Sequence, residues 1–363
     1  CPLRYYLRYG VDLKEREEFT FSPVNFGVVL HAVIREVCDE IKKNGESYYL
    51  ISEEKRREMV KRSVAAITDI YQNSILKDSS RNSFMIKRME DLADRTIWAM
   101  GEQLKCGDFV PFVFEHKFNM EVGDGDRKQL MSGTIDRVDI CENGTDVYVR
   151  IIDYKTGKKD FNIVKTYYGI DIQLMVYMEA AMKLVAKMRP GKNVIPAGVF
   201  YYNISDPIVS ATTESAEEIE DKIKGELRLK GMVNSDKDIA EKMDNTEGTS
   251  LNIPVSRKAD GGFDSRRSKV MNTEQFNILG RFVDVRAIDT ADRIVGGDIR
   301  RSPYKDGQFS SCDRCPYGAV CGFSVDLPGC NYRKLKKFDD EVLWNNIKEG
   351  VDENGKKMGT GAE

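Results

Sequence analysis

The sequence predicts a mixed α/β domain, and three observations carry that prediction. Residues 24–43, "VNFGVVLHAVIREVCDEIKK", place Val29, Leu30, Val33, Ile34, Val37 and Ile41 at helical spacing along one wide apolar face. The period then switches to that of strands in three segments, separated by the turn-forming "GDGD" and "ENGTD". An apolar-periodic helix and one further strong strand follow, so helices and strands interleave within one unit.

In chain order, two more helical stretches, about 53–77 and about 81–106, complete a helical N-terminal part over 1–107. "VPFVFEHKFNMEV", "QLMSGTIDRVDIC" and "DVYVRIIDYKTG" are the strands. The helix "IDIQLMVYMEAAMKLVAKM" ends at Pro190 and Gly191, which cannot continue it. "VIPAGVFYYNI" closes a core over about 108–205. Residues 234–270, rich in Gly, Ser, Asp and Asn, predict a long, partly mobile excursion. The segment 310–330 carries clustered cysteines, and a polar tail over 346–363 is expected to be disordered. The whole of 1–345 reads as a single domain without internal repeats.

The chain has 363 residues, 41% apolar and 32% charged, with a net charge of −3, as expected of a soluble, globular protein. No apolar run approaches a membrane span and no signal segment opens the chain, so a cytoplasmic location is expected. It starts at Cys1 and not at methionine, which reads as a segment of a longer polypeptide. An acidic chain binds phosphates only through local patches. The candidates are Lys155, Lys158 and Lys159, the group Arg266, Arg267 and Lys269, and the run Arg333, Lys334, Lys336 and Lys337.

Eight cysteines in such a chain point to metal binding sooner than to a disulfide framework. Cys312, Cys315 and Cys321 supply three thiolates, so a fourth ligand must come from elsewhere. This spacing suits zinc and an iron–sulfur cluster alike. Cys38, Cys106 and Cys141 lie in apolar or strand-like surroundings and read as buried small hydrophobes. Cys330, nine positions beyond Cys321, is a spare thiol.

The strands carry the chemistry. Side chains two apart share a face, so Asp153 and Lys155 point one way while Ile152 and Tyr154 point the other. On the preceding strand Asp136 and Asp139 have opposite parity, and a regular strand sends only one of them to the Asp153 face. Glu115 is a further acidic candidate one strand earlier. Carboxylates converging with a lysine suit a Mg²⁺ or Mn²⁺ ion that polarises a phosphodiester and acidifies a water. The lysine offsets developing negative charge. Of the two histidines, His116 has the opposite parity to Glu115 and reads as structural.

"GTIDRVD", "IIDYKTGKK" and "QLMVY", preceded by "GVVLHAVI", resemble the RecB-type PD-(D/E)XK nucleases. The resemblance implies a restriction-endonuclease-like core, a mixed sheet flanked by helices. It implies metal ligands at His31, Asp136 and Asp153, and a catalytic lysine at Lys155. It also implies that Gln173 and Tyr177 order the site and the DNA backbone, with Glu115 as a supporting acid and Asp139 a weaker candidate. Some members of the group hold a 4Fe-4S cluster with one cysteine at the domain start and Cys-x₂-Cys-x₅-Cys at its end. On that pattern Cys1 joins Cys312, Cys315 and Cys321, and the cluster staples the two ends together.

The ordered set, which also includes "CPLRYYLRYGVDLKERE", "GDIRRSPY" and "CDRCPYGAVCGF", is similar to the AddB-type nuclease domains of bacterial AddAB helicase–nucleases. It covers residues 1 to about 325. This implies an exonuclease acting on DNA ends in recombinational repair, with DNA, the AddA helicase–nuclease and the remainder of an AddB chain as partners. The sequence has no G-x-x-x-x-G-K-[ST] motif, so ATP-driven unwinding would belong to AddA. Three rival readings are a stand-alone iron–sulfur nuclease of the CRISPR-adaptation type, a catalytically decayed DNA clamp and a zinc-stabilised interaction domain.

Overall fold

The computed structural model describes residues 1–14, 23–70, 80–123, 128–210 and 215–359. A short α1 (Pro2–Tyr5), continued as a π-turn over Tyr6–Gly10, precedes three long helices, α2 (Pro23–Lys43), α3 (Glu53–Ile70) and α4 (Ser80–Lys105). The six periodic apolar residues of α2 are all buried, as the spacing predicts. The third predicted helix matches α4 closely. The second ends its described part at Ile70, and residues 71–79 lie outside the described residues.

Three antiparallel strands follow, β1 (Val110–Val122), β2 (Gln129–Asn143) and β3 (Asp146–Lys155). The chain then crosses through α5 (Ile163–Tyr167) and α6 (Gln173–Met188) to β4 (Asn193–Asn203), which runs parallel to β3. A parallel pair needs such a crossover, and the helical period in "QLMVYMEAAMKLV" supplies it. Beyond α7 (Ala216–Glu226), β5 (Lys230–Asn234), α8 (Lys237–Met243) and β6 (Val270–Met271) extend the sheet to six strands in the order β1-β2-β3-β4-β5-β6. The sheet therefore runs well past the expected limit near 205.

Helix α9 (Thr273–Val295) starts on a capping box in which Asn272 and Gln275 satisfy each other's backbone N–H. A small sheet of β7 (Tyr304–Asp306), β8 (Phe309–Ser310) and β9 (Arg333–Lys334) brackets α10 (Gly318–Cys321), and α11 (Asp340–Gly359) ends the fold.

The large sheet separates two apolar layers. Helices α2, α3 and α4 pack on the face carrying Ile152, Tyr154, Phe200 and Tyr202. Helices α6, α9 and α11 cover the face carrying Val149, Ile151, Val199 and Tyr201. Strand alternation delivers this split, as the period-2 reading of "VRIIDYK" requires.

Two segments carry more structure than their composition suggests. Residues 234–270 are ordered, because their polar side chains bond to the chain itself. Asp244 accepts from Ser250 Oγ at 2.7 Å and Asn252 Nδ2 at 3.1 Å, and Arg257 donates to Thr246 O at 2.7 Å and Ala240 O at 2.8 Å. Ile253 and Val255 anchor the segment in the core. Helix α11 runs into the tail expected over 346–363, and its Leu343 and Ile347 are buried one helical turn apart on the α9 side.

Helices α6 and α9 also meet through two carboxyls, Glu179 and Asp284, with Lys183 at 2.6 Å from Glu179. Burial, reinforced by Glu179, pushes the Asp284 carboxyl up to about 8. An unfolded chain releases that proton near pH 4, so between about pH 4 and pH 8 the unfolded state binds fewer protons and stability falls as pH rises. Asp284→Asn supplies the donor without the charge. Thermal unfolding should show it matching the parent near pH 4 and exceeding it increasingly up to pH 8, with no further gain above.

Candidate active site

The sheet register brings three acids together. Phe114 pairs with Arg137 and His116 with Ile135, so Glu115 of β1 stands opposite Asp136 of β2. Arg137 pairs with Ile152, and one step further along that register Asp136 stands opposite Asp153 of β3. Asp136 and Asp153 are 7% and 2% exposed. Glu115 holds φ at +46°, a left-handed conformation rare for a side-chain-bearing residue, in the middle of a strand.

His31 reaches in from α2, with Nδ1 3.6 Å from Glu115 Oε1 and 3.5 Å from Asp136 Oδ1. The Tyr154 backbone N–H donates to the other oxygen of Asp136 at 2.7 Å and fixes that carboxylate. Lys155 Nζ forms an ion pair with Asp153 Oδ2, yet no donor meets that buried oxygen at hydrogen-bonding angles. At the start of α6, Gln173 Nε2 donates to Tyr177 Oη at 2.9 Å, across one helical turn.

These groups disturb one another's protonation. Burial, then the Asp136 charge, push Asp153 up to about 6 against the pull of Lys155 and His31. For His31 burial acts downward, but Asp136 and Glu115 outweigh it and raise the imidazole to about 10. Burial raises the Tyr177 hydroxyl, and the charges of Asp153, Asp136 and Glu115 all reach it. Tyr177 therefore belongs to the same electrostatic neighbourhood.

His31, Glu115 and Asp136 offer ligand atoms within 4.8 Å of one another. Carboxylate oxygens suit Mg²⁺ or Mn²⁺, and the unsatisfied Asp153 oxygen beside them is a further donor. The donor set fits a divalent cation. Glu115, the supporting acid of the sequence reading, is one of these three. Asp139 lies on the opposite face, fully buried, where Arg137 donates to it at 2.7 and 2.6 Å and Arg150 at 2.9 Å.

Sequence reading missed three neighbours, Tyr201, Asp171 and Arg35. Tyr201, paired with Asp153 across β3 and β4, donates to Asp171 at 2.7 Å, and Lys159 approaches Asp171 at 3.0 Å. Lys159 Nζ also lies over the Tyr201 ring, 4.4 Å from its centroid. Parallel register with Asp153 was the signal for Tyr201, but it exists only once β3 and β4 are paired. Arg35, one turn beyond His31 on α2, lines the same open cleft as His31, Glu115 and Lys155. Much of the expected phosphate patch is neutralised within the fold. Lys155 meets Asp153, Lys159 meets Asp171 and Lys269 meets Asp160. Lys158, Arg266 and Arg267 remain exposed.

Cys1, Cys312, Cys315 and Cys321 line one cavity together with Tyr317 and Phe323. Leu3 N–H bonds Arg300 O at 3.3 Å and Tyr317 Oη bonds Leu13 O at 2.9 Å, tying the first residues to the C-terminal segment. Cys330 is buried beside a neighbouring cavity.

A family profile described as the PD-(D/E)XK nuclease superfamily matches residues 1–322. Similar proteins include several named as the B component of an ATP-dependent helicase/deoxyribonuclease. The one from Thermoanaerobacter sp. (strain X514) is 32% identical, covering 99% of this chain and 32% of its own length. The protein of the same name from Caldanaerobacter subterraneus subsp. tengcongensis is 34% identical over 99% of the chain and 31% of its own. That of Lachnoclostridium phytofermentans is 33% identical over 100% and 32%. The chain thus spans about a third of the length of the curated relatives it matches.

The backbone of Glu115 carries a test independent of activity. In a regular strand valine outranks glycine, but at φ +46° a β-branched residue costs about 1–2 kcal/mol and glycine nothing. Urea unfolding should rank Glu115→Gly at or above the parent and Glu115→Val below it by that amount.

Proposed function

The chain belongs to the PD-(D/E)XK nuclease superfamily, and on that premise we propose that it is the metal-dependent deoxyribonuclease module of an AddAB-type helicase–nuclease. It acts as an exonuclease on DNA ends, in recombinational repair. The observation that carries this reading is the alignment of Glu115, Asp136 and Asp153 on three adjacent strands, with Lys155 and His31 against them at an open cleft.

Asp136, Asp153 and His31, with Glu115 beside them, would hold Mg²⁺ or Mn²⁺. When bound, the ion supplies Lewis acidity at a phosphodiester oxygen and lowers the pKa of a water. The side chains do the rest. Asp136 is pinned by the Tyr154 N–H, so its free oxygen keeps its direction. Lys155, anchored by Asp153, presents an ammonium to the charge that grows on the phosphate. Gln173 and Tyr177 brace each other on α6 and orient the backbone of the strand being cut. Arg35 provides a cation at the mouth of the cleft for an adjacent phosphate.

Cys1, Cys312, Cys315 and Cys321 hold a 4Fe-4S cluster on this reading, with a structural role. Joining residue 1 to residue 312 closes a very long loop and so stabilises the fold. AddA and the rest of an AddB chain are the protein partners, with ATP-driven unwinding assigned to AddA. No helix among the described residues is long and apolar enough to cross a membrane, and a cytoplasmic place of action fits. The stand-alone CRISPR-type reading is less well supported than the AddB reading, because the helicase/deoxyribonuclease relatives align with essentially the whole chain. The decayed-clamp reading has to explain an intact Asp136, Asp153 and Lys155 set.

Incubation with end-labelled single-stranded and duplex DNA plus Mg²⁺ or Mn²⁺ tests the reading. Asp153→Ala should lose about three orders of magnitude or more in cleavage rate. It should keep its melting temperature, because a buried acid beside Asp136 is a source of repulsion when ionised. Near-parental cleavage by that variant would favour the clamp.

Anaerobically purified protein should absorb in the visible. Cys1→Ser and Cys321→Ser should each bleach the band and lower the melting temperature. A colourless parent with stoichiometric zinc would replace the cluster by a zinc site.

A further inference from the structure

A second cavity lies beside the cysteine-lined one and opens to solvent over about 570 Å³. Its wall includes four guanidinium groups, Arg293, Arg300, Arg301 and Arg333, over a neutral floor that includes Cys330 and Asn331. No carboxylate of the described residues lines it. Asp298 sits behind the wall, where Arg293 donates to it at 3.0 and 2.7 Å and Arg300 at 2.9 and 2.8 Å. One carboxylate thus fixes two arginines, and the four cations keep an excess of three positive charges around a single space.

The remaining two are aimed by the backbone. Arg301 reaches the carbonyls of Cys321 and Gly322 at 3.4 and 3.5 Å. Arg333, on β9, donates to Ser302 O at 3.3 Å. Like charges held together repel unless an anion joins them, and guanidinium forks match the paired oxygens of a phosphate.

We propose that this cavity is a second phosphate-binding site, separate from the carboxylate cleft, that grips the backbone of a DNA strand. The proposal rests on the nuclease reading for its ligand, and a linear polyanion is favoured over a small one by what lies alongside. Lys334, Lys336 and Lys337 continue the positive charge in exposed positions after Arg333. Arg301 lines both this cavity and the cysteine-lined one. A strand gripped here therefore passes the cysteine-rich end of the fold, and the site acts as a hold on DNA that is not being cut.

The test is fluorescence-anisotropy binding of a long single-stranded oligonucleotide to the 363-residue chain over a range of salt concentrations. It compares the parent with Arg300→Gln/Arg333→Gln and with Arg300→Lys/Arg333→Lys, alongside cleavage of a very short substrate. The glutamine pair should bind at least tenfold more weakly, with the salt slope reduced by about 1.4 for two lost contacts to a single strand. It should cut the short substrate at the parental rate. The lysine pair should recover the slope, and matched melting curves exclude misfolding.

Unchanged affinity and slope in the glutamine pair overturn the site while leaving the nuclease reading intact. A parent that binds with a steep slope lost in the glutamine pair, yet cuts nothing, keeps the site and removes the nuclease reading. Binding of inorganic phosphate that the glutamine pair loses, with oligonucleotide binding unaffected, makes this a small-anion site and overturns the strand assignment. A parent that binds no oligonucleotide overturns it as well.

Discussion

Like charge buried in one place governs much of this structure. Glu115, Asp136 and Asp153 occupy facing positions on three adjacent strands, and two of them are almost sealed from water. Such a group is costly unless cations or protons answer it. The fold supplies Lys155 beside Asp153 and His31 beside the other two. It still leaves a buried Asp153 oxygen without a properly aligned donor. The left-handed backbone at Glu115 belongs to the same arrangement, since strain of that kind survives only where the surroundings enforce it.

The remainder of the fold keeps this register. A one-residue slip of β2 would send Asp136 to the far face and bring Asp139 in. Asp139 is locked away from that outcome, because Arg137 and Arg150 clamp it in the opposite apolar layer. Removing one partner of such a buried group is strongly destabilising, so the triad opposes slippage even where its net contribution to stability is small. Helix α2 then needs only to sit against β1 and β2 for His31 to arrive.

Much of this was legible in the sequence. Strand parity separated Asp136 from Asp139 without saying which one joins Asp153. The choice depended on the β2–β3 register and on Arg137 and Arg150. The backbone of Glu115 was not legible, because period-2 reasoning carries no information about a left-handed residue. Tyr201 and Asp171 escaped notice, since their hydrogen bond joins residues 30 apart. The first two basic patches were overread for the same reason, as Lys159 and Lys269 are met by Asp171 and Asp160 from other segments. Composition misled twice. The polar residues of 234–270 bond inward, and Ile347, inside the polar tail, shares helical spacing with Leu343 just before it. The pairing of Cys1 with the late cysteines needed the family resemblance, because no local pattern links residues 1 and 312.

The central claim is that the facing strand carboxylates form a metal centre. The direct measurement is anomalous diffraction from crystals grown with Mn²⁺. The account predicts a peak about 2.0–2.3 Å from carboxylate oxygens of Asp136 and Asp153, with His31 turned towards it. A peak elsewhere, or none there while Lys155 and His31 alone neutralise the acids, would contradict it.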